Sequence, residues 1–258
     1  MSDAAAPQQM LTADLELVIG GRRLAVRLPV PIGKTSLRGM LPALRALMAG
    51  LSGVAIEQAA DEGRRVACKA GCGACCRQLV PIAGAEAHHL ADLVDAMPAE
   101  RRKAVMGRFA AARAQLEAAG LWRDFVRLPT ITDPAEANAL GLGYFAQHIA
   151  CPFLEDESCS IHPERPLACR EYLVSSDPAQ CADPGGQGVV PIKLDRRLTT
   201  AVARTGGAGR PRYVAMTALF DWVACNPEAP PEQEAGEILG EVLTYFTGSE
   251  VAAEPPGL

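Results

Sequence analysis

No run of 18 apolar residues occurs in this chain, although 49% of its 258 residues are hydrophobic. A membrane-spanning helix needs about 20 predominantly apolar residues, so no membrane partner is expected. Aromatic residues are scarce, at 5%. Alanine and leucine must fill the core instead, and they favour helices. A basic excess is also missing: the net charge is −5 and no long basic run appears. Without that electrostatic footprint, nucleic acid is not an expected partner. The opening residues, Met1-Ser-Asp-Ala-Ala-Ala-Pro-Gln-Gln, lack a basic stretch followed by an apolar one. A secretory signal is therefore not expected, and the expected compartment is the reducing cytoplasm. No internal repeat is visible.

Cysteine, by contrast, is plentiful. Eight of the nine cysteines lie between positions 68 and 181, in two groups. The first is Cys68-Lys-Ala-Gly-Cys72-Gly-Ala-Cys75-Cys76. The second comprises Cys151, Cys159, Cys169 and Cys181. An odd total in a reducing compartment fits a disulfide framework poorly, whereas clustered thiolates bind zinc, copper(I) or iron–sulfur clusters. Cys72-x2-Cys75 is a chelating spacing that lets two sulfurs reach one ion at about 2.3 Å. Adjacent residues seldom share one tetrahedral ion. The vicinal pair Cys75-Cys76 therefore points to a polynuclear cluster, two neighbouring metals, or a ligand beside a free thiol. Seven or eight thiolates also exceed the four that one zinc takes.

The expected metal ligands are Cys68, Cys72, Cys75, Cys76, Cys151, Cys159 and Cys169. Cys181 is an eighth, for which a plain loop thiol is the competing reading. The bland alternative for the whole set, buried core thiols, is weakened by the flanking glycines and prolines. Cys225 lies outside both groups in a helical pattern and is expected to pack in the core. His162 could complete a mixed site, although a hydrogen-bonding role is the more ordinary one. His88 and His89 would diverge by about 100° on a helix, so they do not form a pair of ligands. Arg77, Arg165 and Arg170 stand beside cysteines, where cations favour the thiolate. They could equally pair with Glu164 or Glu171.

The rest of the chain predicts a mainly α (α+β) fold. Alternation in 23–28 and the Gly20-Gly21 step predict an N-terminal β-hairpin within residues 1–32. Apolar residues at Leu37, Met40, Leu41, Leu44, Leu47, Met48, Leu51 and Val54 follow helical periodicity, with Pro42 either kinking the helix or moving its start. Further helices are expected over about 84–97, 98–119, 133–149, 213–224 and 233–246. Gly71 and Gly73 predict a tight loop around the first cysteines. The segment 151–188 reads as irregular, and a stretch of that length needs a restraint other than an apolar face. Residues 33–250 are expected to form one mainly helical domain with its cysteine core at 66–182, and 251–258 a disordered tail.

Taken together, Gly71-Cys72-Gly-Ala-Cys75-Cys76-Arg77, Cys151-Pro152-Phe153-Leu154 and Cys159-Ser-Ile-His162-Pro-Glu-Arg165-Pro166-Leu-Ala-Cys169-Arg170-Glu-Tyr172 resemble the CxxCxxCC, or YkgJ-like, cysteine-cluster family. The resemblance covers roughly residues 66–182. It implies a zinc- or iron-chelating domain, and some members of that family are flagellin lysine methylases. The resulting expectation is a metal-binding protein holding an iron–sulfur cluster or iron, with zinc as the alternative. Its role would be in metal handling, redox chemistry or as an accessory to a protein partner or substrate.

The alternative expectation is an S-adenosylmethionine-dependent protein lysine methyltransferase of the flagellin type. Cys68-x3-Cys72-x2-Cys75 also resembles the three-cysteine spacing of radical enzymes that use S-adenosylmethionine. Those enzymes carry an aromatic residue before the last cysteine, where this chain has Ala74, and a barrel of strand–helix repeats. Gly206-Gly207-Ala-Gly209 reads as a flexible loop rather than a nucleotide site. A thioredoxin-like use of Cys72-x2-Cys75 would need a βαβ setting, which the pattern does not offer.

Overall fold

A computed structural model describes residues 9–183, 188–207, 209–228 and 233–249. Alternating residues build a long hairpin from β1 (Met10–Ile19) and β2 (Arg22–Pro31), joined at Gly20-Gly21 and paired from Ile19↔Arg22 to Met10↔Pro31. A short strand, β3 (Lys34–Thr35), leads to α1 (Leu41–Asp61). Pro42 sits in the first turn of α1, where its missing N–H costs nothing, so the proline sets the helix start and makes no kink. Leu44 and Leu47 on α1 are wholly buried, together with Leu28 and Val30 of β2. Each such leucine contributes about 1.5–3 kcal/mol of burial. The hairpin and α1 thus share one core.

The chain then enters the first cysteine group. Ala74–Arg77 form one 3-10 turn, a tighter piece of regular structure than the expected loop. After β4 (Pro81–Ile82) come α2 (Gly84–Asp95) and α3 (Ala99–Ala118), both at the expected places. Helix α4 (Trp122–Val126) is too short to show helical periodicity in the sequence. Helix α5 (Pro134–Phe145) is capped by Asp133, whose side chain accepts from the Ala135 N–H at 2.9 Å. It stops short of the expected residue 149. Bonds from Gln147 N–H to Tyr144 O and from His148 N–H to Phe145 O tighten the chain, and His148 takes φ 53°.

The 151–188 segment is less irregular than its composition suggests. It contains a two-residue hairpin of β5 (Leu154–Glu155) and β6 (Ser158–Cys159), then α6 (Leu167–Glu171) and β7 (Leu173–Val174). Strand β8 (Pro191–Ile192) pairs with β7 and leads to α7 (Leu198–Arg204), a helix that periodicity did not reveal.

The helix expected over 213–224 begins only at α8 (Leu219–Cys225). Its first residues instead form β9 (Val214–Ala215), which pairs with β4. Strand β10 (Gln233–Glu234) pairs with β3, and α9 (Ala235–Thr247) closes the fold. The expected disorder of 251–258 lies outside the described residues. The result is mainly α, with nine α-helices and five two-stranded antiparallel ladders among the described residues. None of these helices is long and apolar enough to cross a membrane. Cys225 is exposed, against the expectation of core packing, because α8 turns Leu219 inward and ends with Cys225 towards solvent.

Candidate metal centre

The two cysteine groups meet through the backbone. The Cys151 N–H donates to Cys76 O at 2.7 Å, so residues 75 positions apart are stitched together at the point where the first group ends and the second begins. Two further contacts hold the second group against the first. Arg77 donates to both carboxylate oxygens of Glu157, at 2.6 and 3.0 Å, and to Gly73 O at 2.9 Å. Glu157 reaches this position because Asp156 and Glu157 both take positive φ, 48° and 55°, in the two-residue turn between β5 and β6. Gly73 permits the approach: a Cβ there would stand 2.5 Å from Glu157 Oε2 and 2.9 Å from Leu154 Cδ1.

Cys75 lies at the centre of this assembly. Its thiol is hydrogen-bonded to the Cys76 side chain and lies in the electrostatic range of Cys151, Cys159, Cys169 and Cys181. Cys181 in turn feels Cys68 and Cys72. All eight expected cysteines therefore fall in one neighbourhood. Cys75 is linked in this way to the second group, and Cys181 links it to Cys68 and Cys72. Among the described residues, no three histidine, cysteine, aspartate or glutamate donors stand close enough to hold one ion as they are placed.

Local backbone geometry prepares some of these sulfurs. The Phe153 N–H bonds to the Cys151 sulfur, and the Ile161 N–H bonds to the Cys159 sulfur. The same i to i+2 turn thus occurs twice, with Pro152 and Ser160 as the intervening residues. An N–H aimed at sulfur stabilises the thiolate over the thiol. Arg165 adds a positive charge near Cys75 and Cys159.

Burial outweighs these effects at the thiols themselves. It pushes the Cys151 thiol up to about 12 and raises Cys159, Cys169 and Cys181. Cys75 is raised first by its bond to Cys76 and then by burial. Buried thiols are accordingly neutral until something charged compensates the thiolate. Eight soft sulfurs under that constraint suit a thiophilic cation, which is the chemistry that zinc, iron and iron–sulfur clusters share.

Several residues that support the site were not legible beforehand. Glu86 is buried and accepts from the Ala83 N–H at 3.0 Å and the Leu167 N–H at 2.7 Å, which ties α2 to the helix carrying Cys169. Burial raises its pKa. Its signal was absent because the N-cap position is Ala83, so no Ser or Thr announces a capping box. Tyr172 hydrogen-bonds to the Cys181 side chain, and Gln78 Nε2 donates to Cys181 O at 3.1 Å. Arg108 donates to Leu154 O at 3.1 Å and to Glu155 at 2.6 Å, bracing the β5–β6 hairpin.

The histidines go elsewhere. His89 Nε2 stands 2.8 Å from Glu164, His88 lies edge-on to Trp222, and His162 is exposed. Of the arginines, Arg77 pairs with Glu157 rather than Glu164 or Glu171, and Arg170 donates to Arg165 O at 3.0 Å. Glu164 is taken by Arg45.

A cavity of about 440 Å³ opens beside the cysteines, with Cys75 and Cys169 in its wall. Comparison with known proteins yields one finding. No curated protein and no solved structure matches the chain. Residues 67–184 match the CxxCxxCC family, described as a putative zinc- or iron-chelating domain. That span, a little under half of the chain, contains all eight clustered cysteines and the turns that present them, so this part of the chain is similar to the CxxCxxCC family.

Proposed function

We propose that Cys68, Cys72, Cys75, Cys76, Cys151, Cys159, Cys169 and Cys181 form a metal centre that holds iron or an iron–sulfur cluster, with zinc as the competing occupant. The observation that carries this reading is the repeated N–H to sulfur turn at Cys151 and Cys159, converging on Cys75. A buried structural thiol has no need of such a donor, whereas a thiolate ligand does. The surplus of thiols over the four that zinc uses favours iron–sulfur chemistry. A bound cluster would supply one-electron chemistry at this position. Cys151, Cys159 and Cys169 would act from the second group and Cys75 from the first, with Arg165 offsetting their charge. Ligation requires the thiols to lose their protons and the loops to draw together. The role that follows is metal handling, electron transfer or support of a protein partner.

Methyl transfer has no comparable support. Among the described residues the ladders are all antiparallel and two-stranded, and Gly206-Gly207 closes α7 ahead of β9 instead of opening a helix. Anaerobic purification with iron, zinc and acid-labile sulfide analysis, together with an absorption spectrum, tests the proposal. A coloured protein with iron and sulfide in equal amounts is expected. A colourless protein with stoichiometric zinc overturns the iron assignment. A protein whose metal content is unchanged by Cys75→Ala and Cys151→Ala overturns the site itself.

A further inference from the structure

The 440 Å³ cavity beside Cys75 and Cys169 is lined by more than apolar residues. Lys193 and Arg197 stand exposed on its rim, and neither makes an ion pair within 4.0 Å among the described residues. Glu171 is also in the wall, but its carboxylate already accepts from the Leu198 N–H at 2.9 Å. Tyr213 donates its hydroxyl hydrogen to Thr200 Oγ1 at 2.9 Å, which leaves the Thr200 hydrogen free to donate into the space. The cavity therefore presents two cation heads and a hydroxyl donor against one engaged carboxylate. The rest of the wall sets hydrocarbon from Leu79, Val80, Pro81 and Ile192 beside the polar side chains of Gln78, Tyr172 and Thr199.

We propose that this cavity binds a small organic monocarboxylate, with its carboxylate between Lys193 and Arg197 and its apolar body running inward over Leu79 and Ile192 to the thiols of Cys75 and Cys169. The charge balance decides the class. Lys193 and Arg197 exceed Glu171 by one positive charge, which matches a single carboxylate and would leave a phosphate dianion partly uncompensated beside Glu171. The guanidinium fork of Arg197 fits the two oxygens of a carboxylate. The volume lies in the range of small-molecule pockets, about 300–1,000 Å³, and suits a body of several carbons. Because the rim cations are exposed, they select and steer more than they bind, and the apolar wall must supply much of the affinity. The inference rests on the metal-centre reading only for what the ligand meets at the inner end.

Pentanoate is the probe, titrated by isothermal calorimetry or ligand-observed NMR against the full chain as purified, with pentanamide and inorganic phosphate alongside. Saturable pentanoate binding is expected, with pentanamide at least tenfold weaker. Lys193→Gln with Arg197→Gln should weaken pentanoate at least tenfold, and Thr200→Val several-fold. Absence of saturable binding overturns the proposal, as does equal affinity for the amide, a comparison that needs no variant. Tighter binding of phosphate than of pentanoate overturns the carboxylate assignment. Metal analysis of the same samples separates the two readings. Pentanoate binding by a protein that never takes up metal sinks the metal centre and leaves the cavity. A metal-loaded protein indifferent to pentanoate sinks only the cavity.

Discussion

The two halves of this molecule are held by different means. Around α1, the hairpin β1–β2, α7 and α9 share one continuous apolar core, with Leu28, Leu44, Leu47, Leu198 and Val242 wholly buried. Within 67–184, α2, α3 and α5 pack apolar clusters of their own around Phe109, Phe153 and Tyr144, but the elements that carry the cysteines shrink to two-residue strands, single turns and the five-residue α6. There the chain is tied by backbone bonds such as Cys151 N–H to Cys76 O, by Arg77 and Arg108 on the β5–β6 hairpin, and by thiols gathered around Cys75. Hydrophobic burial is diffuse and tolerant, whereas a site built from turns depends on a few exact contacts. Turns with that little regular structure can hold one shape if a metal supplies the missing bonds.

The largest expected effect separates the halves directly. Stripping metal with a strong chelator under reducing conditions should open the cysteine-bearing turns of 67–184 while α1 and α9 stay protected, since a structural metal can contribute on the order of 10 kcal/mol. Hydrogen-exchange mass spectrometry reads both halves at once, and uniform loss of protection would show that they are not separable. Next comes the apolar half. Leu47→Ala should cost about 2–5 kcal/mol in denaturant unfolding, with metal per folded molecule unchanged. A parallel loss of metal would mean that the core positions the thiols.

Glu86 lies on the border between the halves. Glu86→Ala orphans the N–H groups of Ala83 and Leu167, and buried orphan donors cost ~1–3 kcal/mol each, so a loss of about 2–4 kcal/mol is expected. Its pH behaviour carries a definite sign. Because burial raises the folded pKa, the fold favours the protonated acid, and that contribution is present at low pH and lost as pH rises through the raised pKa. Comparing wild type and variant from acid to neutral pH should therefore show the wild type's advantage shrinking as pH rises, and a growing advantage would contradict the burial argument.

Smaller still is Gly73→Ala. Its Cβ meets Leu154 and Glu157 and should cost ~1–3 kcal/mol through overpacking, with the β5–β6 hairpin the first to loosen by hydrogen exchange. The smallest effect belongs to Arg77→Ala, because the ion pair it removes is exposed. Arg77 holds the Glu157 carboxyl below the usual carboxylate range. The pair's contribution is therefore present above the ordinary pKa and fades as acid brings pH through the depressed one. Melting curves of wild type and variant should converge there, and a gap that persists in acid would assign Arg77 a role beyond Glu157.

Long periodic elements were legible and short ones were not. The helices α1, α2, α3 and α9 each repeat an apolar face over several turns, which is the signal that periodicity measures. The helices α4, α6 and α7 have five, five and seven residues, too few for a face to repeat. Strand β9 interrupts what looked like one helix because Val214 and Ala215 find partners on Ile82 and Pro81, more than 130 positions away. Cys225 was misjudged for a related reason: an apolar helix near its end does not announce which side faces solvent.

At the candidate site, the cysteine spacing identified the participants because chelating chemistry needs specific residue types at short intervals. Their gathering around Cys75, and the absence of a closed three-donor cage among the described residues, could not be read that way. Both depend on where distant turns come to rest. Glu86 and the Lys193–Arg197 rim were equally silent, since a buried carboxylate and a pair of surface cations look ordinary until their neighbours are known.

What the sequence alone determined was the inventory: a mainly helical chain, a glycine-turned hairpin and a set of thiols spaced as ligands. These follow from local rules, namely dihedral preference, apolar period and ligand reach, that act within a few residues. Only the tertiary structure decided that Cys75 is the meeting point of both cysteine groups, that the N–H groups of Phe153 and Ile161 point at sulfur, and that a cavity with a cationic rim opens onto the same thiols. Those features arise from packing between segments up to about a hundred residues apart, and no local rule encodes a contact whose partner is absent from the window it reads.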